Sequence, residues 1–160
     1  MVIISVLIRD FRHSNMLQWI HKLELKMNRK LSLYQKILLT ETGTVEQTLG
    51  ILTDSQINVQ IVKQVKTCKR IKRYIRIVNK QTGDKLLEAS STIFIDCLPN
   101  VVVKCIELKD QGIGNIITSF ELETFRKITK IGYDSRTRSI FRTYYIIYNK
   151  NVAIKIREIF

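Results

Sequence analysis

Apolar residues recur along this chain with two different spacings, and the change from one to the other divides it. From Asn15 to Asn28, Met16, Trp19, Ile20, Leu23 and Met27 fall at helical spacing behind Ser14 as a cap, and Ser32 opens a second short helix over Leu33 to Leu39. Gly43 breaks the chain. Thr44-Val45-Glu46-Gln47 then has the Thr-x-x-Gln form of a capping box and starts a helix with Val45, Leu49 and Leu52 on its apolar face. Beyond that point the period shortens to two. Ile57, Val59 and Ile61 alternate with Asn58 and Gln60, while Ile71 to Val78 and Leu86 to Ile95 read as a hairpin turning through Gln81-Thr82-Gly83-Asp84. Pro99 suits the first turn of a helix presenting Val102, Cys105 and Ile106, and Gly112-Ile113-Gly114 reads as a loop before a helical turn at Asn115 to Ser119. Thr124 to Ile131, Arg142 to Tyr148 and Val152 to Phe160 complete the strands, the last two joined across Asn149-Lys150-Asn151. The stretches between strands are too short for parallel crossovers, so the pattern predicts an α+β domain with an antiparallel sheet of about six strands and helices on one side. Residues 1–31 read as a helical extension and residues 32–160 as the main domain.

Two charges break the alternation. Glu158 shares its strand face with Val152, Ile154, Ile156 and Phe160, and Arg73 shares its face with Ile71, Ile75 and Ile77. An ionised group in an apolar interior costs several kcal/mol, so it persists where it is paired or where a ligand needs it. A structural Arg–Glu pair is the simpler explanation; a ligand lying between Glu158 and Arg73 is the sharper one.

With 160 residues, one Pro, six Gly and 45% hydrophobic residues, the composition is that of a single globular domain. The net charge of +13 attracts anions of any size. Its densest run, Lys63 to Arg76, alternates with isoleucines and holds Tyr74 as its one aromatic residue, so it reads as the solvated face of a strand rather than a nucleic-acid surface. Cys68, Cys97 and Cys105 have neither disulfide nor metal-ligand spacing and fit a reducing compartment. His13 and His21 lie away from the charged strand positions, which argues against a nucleophile–histidine pair. The opening Val2 to Ile8 is too short to span a bilayer and lacks a cleavage pattern, so no signal or transit peptide is expected.

The series Leu38-Leu39-Thr40-Glu41-Thr42-Gly43-Thr44-Val45, Val59 to Gln64, Arg73-Tyr74-Ile75, Asp96-Cys97-Leu98-Pro99, Ile113-Gly114, Glu123-Thr124-Phe125-Arg126, Arg142-x-Tyr144 and Glu158-Ile159-Phe160 resembles, in that order, the chorismate pyruvate-lyase-like family. The likeness runs from about Leu33 to the C-terminus and is nearest the branch with cyanobacterial, mycobacterial and plastid-encoded members, which implies a plastid or cytoplasmic location. It implies an antiparallel sheet enclosing an internal pocket, and conversion of chorismate to 4-hydroxybenzoate and pyruvate by a monomer without metal or organic cofactor. Carried over by position, the aromatic carboxylate falls to Arg73, the ring hydroxyl to Glu158, the loop lining the pocket to Ile113 and Gly114, and an apolar wall to Val45. Arg76 is the alternative anchor, although strand parity favours Arg73. Arg142 is a candidate for the pyruvyl carboxylate, or else an exposed strand-edge cation. The segment before Leu33 matches nothing in the family, and many relatives continue beyond the position of Phe160. Two rival readings stand beside the lyase: a non-catalytic binder of a small aromatic acid, since the same fold serves effector binding, and a basic nucleic-acid binder.

Overall fold

The computed structural model describes residues 3–8 and 15–160. In chain order its elements are β1 (Ile3–Leu7), α1 (Met16–Met27), α2 (Leu33–Thr40), α3 (Val45–Thr53), β2 (Ile57–Lys66), β3 (Arg70–Asn79), β4 (Lys85–Phe94), a 3-10 turn (Ile95–Cys97), α4 (Asn100–Leu108), α5 (Ile113–Ser119), β5 (Phe125–Asp134), β6 (Ser139–Tyr148) and β7 (Asn151–Ile159). All strand pairs are antiparallel, in one open sheet of order β1-β5-β6-β7-β4-β3-β2. The sheet has seven strands rather than six because the apolar N-terminal run pairs with β5, so the segment expected as a helical extension also contributes an edge strand.

The sheet is two three-stranded meanders, β2-β3-β4 and β5-β6-β7, that meet where β4 pairs with β7. The chain passes from one to the other through α4 and α5. Leu23, Leu38, Leu39, Leu49, Val102 and Ile106 from the helices join Ile71, Ile77, Leu87, Ile93, Ile128, Ile131, Ile146 and Ile154 from the sheet in one buried cluster. Each such side chain contributes roughly 1.5–3 kcal/mol of transfer free energy, which holds the helices against one face of the sheet.

Local signals differ from the sequence pattern in ways that matter later. Asn15 caps α1, its side chain accepting from the Leu17 N–H at 2.9 Å. Ser14, the expected cap, lies outside the described residues, as does His13. A closed capping box forms at Ser32 and Gln35. At Thr44 the helix starts as expected but its side chain makes no cap bond; its methyl is turned toward α5, where a Cβ on Gly114 would lie 3.1 Å from it. Gly112 is the N-cap of α5, so Ile113 and Gly114 open that helix instead of forming a loop.

Bulges decide which side chains face inward. In β2 the register passes from Ile61 opposite Ile75 to Lys63 opposite Tyr74, leaving Val62 as an extra residue. The inward parity switches there, so Gln64 rather than Lys63 joins the helix-covered face. In β7, Ala153 is the extra residue opposite the Ile146–Ile147 step. Val152 is thereby turned outward and 37% exposed, correcting its expected place beside Ile154, while Ala153 is fully buried.

Candidate functional site

Across the helix-covered face, Arg142, Glu158, Ala89 and Ile75 stand in one row over β6, β7, β4 and β3. Tyr144, Ile156, Ser91, Arg73 and Gln64 form the next row. Arg73 and Glu158 are therefore two strand spacings and one row apart, roughly 12 Å between backbones. The strand between them carries only Ala89 and Ser91, too small to fill the gap. Val45 and Glu46 from α3 and Ile113 and Gly114 from α5 cover it, leaving a cavity of about 470 Å³, mouth included.

Five of the six residues singled out in the sequence line this cavity: Val45, Arg73, Ile113, Gly114 and Glu158. Arg142 does not. It sits behind Glu158, 1% exposed, and so is no exposed strand-edge cation. Arg76, the alternative anchor, faces the other side of the sheet and pairs with Glu88 at 3.1 Å in solvent.

Arg73 is also 1% exposed, yet among the described residues it pairs with no carboxylate. Its Nε donates to Gln64 Oε1 at 2.6 Å, Nη1 to the carbonyl of Gln111 at 2.8 Å, and Nη2 to the carbonyl of Ile106. All three acceptors are neutral. Burial pushes the guanidinium below its ordinary value, with only weak opposition from Asp110 and Cys105. Of five N–H donors, two remain for another partner.

Glu158 is arranged in the opposite way. Its Oε2 accepts from Arg142 Nε at 2.5 Å and its Oε1 from the Tyr144 hydroxyl at 2.8 Å. Arg142 is in turn bonded to the backbone carbonyl of Glu41 and to its Oε2 at 3.1 Å, and its guanidinium lies 5.1 Å from the Tyr144 ring centroid and 5.7 Å from that of Phe160. Burial pulls Arg142 down, but Glu158, Tyr144 and Glu41 outweigh it and hold it above its ordinary value. Tyr144 is raised well above a normal phenol, first by burial and then by the Glu158 charge. The direct ion pair of Glu158 is thus with Arg142; with Arg73 it shares only the cavity.

Five polar residues around this space had no role assigned from sequence. Glu41 and Gln64 buttress the two arginines, and Tyr144 fixes Glu158. Arg126 and Glu46 line the cavity itself. Glu46, in the first turn of α3, has its carboxyl raised by burial and by Glu158 and Glu41, against the opposing effects of its own backbone N–H and of Arg126. Its carboxylate lies where a Cβ on Gly114 would stand 2.9 Å from Oε2, so glycine there leaves room for it. For Tyr144 the available signal was strand parity with Arg142, whose own facing the sequence left open. For Gln64 the bulge at Val62 reversed that signal.

Among the described residues no group of three His, Cys, Asp or Glu side chains could hold a metal ion. The three cysteines are free and His21 is exposed on α1. No helix of the described residues is long and apolar enough to cross a membrane.

No family model matches the chain. Curated proteins do: the chorismate pyruvate-lyases of Mycobacterium tuberculosis strains CDC 1551 and H37Rv are 27% identical, over 74% of this chain and 75% of theirs. That of Mycobacterium leprae strain TN is 24% identical, over 82% of this chain and 76% of its own length. The ordered motifs, the antiparallel fold and these relatives agree, and the chain is similar to the chorismate pyruvate-lyases.

Proposed function

We propose that the cavity binds chorismate and eliminates pyruvate from it to leave 4-hydroxybenzoate. The observation that carries the reading is Arg73: a buried cation at the cavity wall with neutral partners alone and two N–H donors to spare. A charge so placed is stabilised by an anionic ligand, and a guanidinium fork matches a carboxylate with two parallel bonds. Glu158, two strands away, then meets the opposite end of the ring, where chorismate carries its hydroxyl.

In this reading the ring carboxylate lies on Arg73 and the hydroxyl on Glu158. The carbon–oxygen bond to the enolpyruvyl group breaks, and its electron pair leaves with the enolpyruvate oxygen. The ring carbon bearing the hydroxyl gives up its proton, and the ring becomes aromatic. Glu158 is the proton acceptor, and the proton ends on the enolpyruvate methylene, so chorismate becomes 4-hydroxybenzoate and pyruvate without gain or loss of atoms. Arg142, behind Glu158, and Tyr144, at the cavity wall, fix the Glu158 carboxylate in place before the ligand binds. The cavity walls Val45, Ile113, Ile146 and Ile156 exclude water around the ring.

Purified protein incubated with chorismate tests the reading, with 4-hydroxybenzoate followed by absorbance. Product above the spontaneous rate is expected, and none above it defeats the enzymatic claim. Thermal stabilisation by 4-hydroxybenzoate without turnover would mark a binding protein instead.

A further inference from the structure

Chorismate is a dianion, and the cavity described so far neutralises one of its charges. Arg73 answers the ring carboxylate, while the charge of Arg142 is already met by Glu158 and Glu41. One further cation lines the cavity. Arg126, near the start of β5, makes no ion pair among the described residues, and its one side-chain hydrogen bond runs from Nη1 to the Thr42 carbonyl at 3.1 Å. Most of its N–H donors are therefore available.

Its position matches the chemistry. Arg126 forms part of the wall of two spaces at once, the inner cavity and an outer cleft bordered by Thr42, Gly43 and Thr44 on one side and the α5–β5 connection on the other. Arg126, on β5, stands opposite Ile146 of β6, on the far side of β6 and β7 from β3, which places it toward the Glu158 end of the cavity, away from Arg73. In chorismate the enolpyruvyl ether sits on the carbon next to the hydroxyl-bearing one. A ring held by Arg73 and Glu158 thus hangs its second carboxylate near the Glu158 end.

We infer that Arg126 is the binding residue for the enolpyruvyl carboxylate, at the junction of the inner cavity with the outer cleft. The inference rests on the chorismate reading and assigns to Arg126 the role that the sequence offered to Arg142. It separates two ligands that otherwise share a site, because chorismate carries the second carboxylate and 4-hydroxybenzoate does not.

The test compares Arg126→Gln with the wild type. The KM and dissociation constant for chorismate are expected to rise roughly 10- to 100-fold, the loss typical of one charge-assisted hydrogen-bonded pair. The dissociation constant for 4-hydroxybenzoate is expected to stay within about twofold. Arg126→Lys, which keeps the charge and loses the fork, is expected to fall between the two. Equal weakening of both ligands would mean that Arg126 acts through its tie to Thr42, and unchanged chorismate affinity would mean that it does not meet the ligand; either result overturns the inference while turnover by the wild type leaves the lyase reading standing. A wild type that turns nothing over but binds chorismate, with that binding selectively lost in Arg126→Gln, sinks the lyase reading and keeps the subsite. A wild type that binds neither ligand overturns both.

Discussion

Arg73 and Arg142 are two arginines on the same face of one sheet, each 1% exposed, and they are buried on opposite terms. Arg142 lies between two carboxylates, bonded to Glu158 and Glu41, so its charge is cancelled inside the protein. Arg73 is held by a side-chain amide and two backbone carbonyls, which satisfy its hydrogen bonds but leave its charge uncancelled. The first arrangement completes itself in the folded chain. On the proposed reading an anion completes the second, with Arg73 rather than Arg142 as the cation that faces the ligand.

The comparison is sharpest in activity. Arg73→Met is expected to lower kcat/KM for chorismate about 100-fold or more, the loss of two charge-assisted bonds, and to abolish thermal stabilisation by 4-hydroxybenzoate. Its own stability should move far less, because an uncompensated buried charge is removed along with its bonds. Arg142→Met should behave the other way round. It leaves Glu158 and Glu41 without their cation and is expected to cost about 3–5 kcal/mol, read from urea denaturation. If Arg73→Met unfolds the protein and Arg142→Met does not, the two roles are reversed.

Smaller changes probe the same contrast. Tyr144→Phe removes the hydroxyl that Glu158 accepts from and should cost about 1–3 kcal/mol, with a drop in turnover if Glu158 needs that second tether. Glu46→Gln gives the smallest effect and tests the electrostatics by pH. The folded protein raises the Glu46 carboxyl, so the stability this group contributes is present below the unfolded glutamate value and is lost as pH rises through the folded one. The Gln variant is therefore expected to gain on the wild type as pH rises above the ordinary glutamate value of about 4.3 and to match it in acid, as followed by melting temperature.

Much of the scaffold was legible beforehand because periodicity is a local property. Helical spacing located α1, α2 and α3, and alternation placed Arg73 and Glu158 on the buried face before any contact was known. The capping boxes show how far such local signals reach. Ser32 and Gln35 close theirs, whereas Thr44, with the same spacing, is turned by its packing against α5 and does not. The edge strand β1 escaped because five residues, apolar but for Ser5, carry no period long enough to assign until a partner, β5, is available.

By itself the sequence determined the fold class, the inward direction of two opposite charges and the likeness to chorismate lyases, all of which depend on residue type, spacing and order. Tertiary structure alone decided who pairs with whom. Counting straight back from the β6–β7 turn, where Tyr148 faces Asn151, sets Arg142 opposite Arg157; the extra residue at Ala153 shifts the register by one and sets it opposite Glu158. The bulge at Val62 likewise brings Gln64, not Lys63, to Arg73 and spares that arginine a second buried cation. A one-residue slip reverses the facing of every residue beyond it, and whether it occurs depends on how two meanders, a helical crossover and a shared core fit together, which is not written in any single stretch of chain.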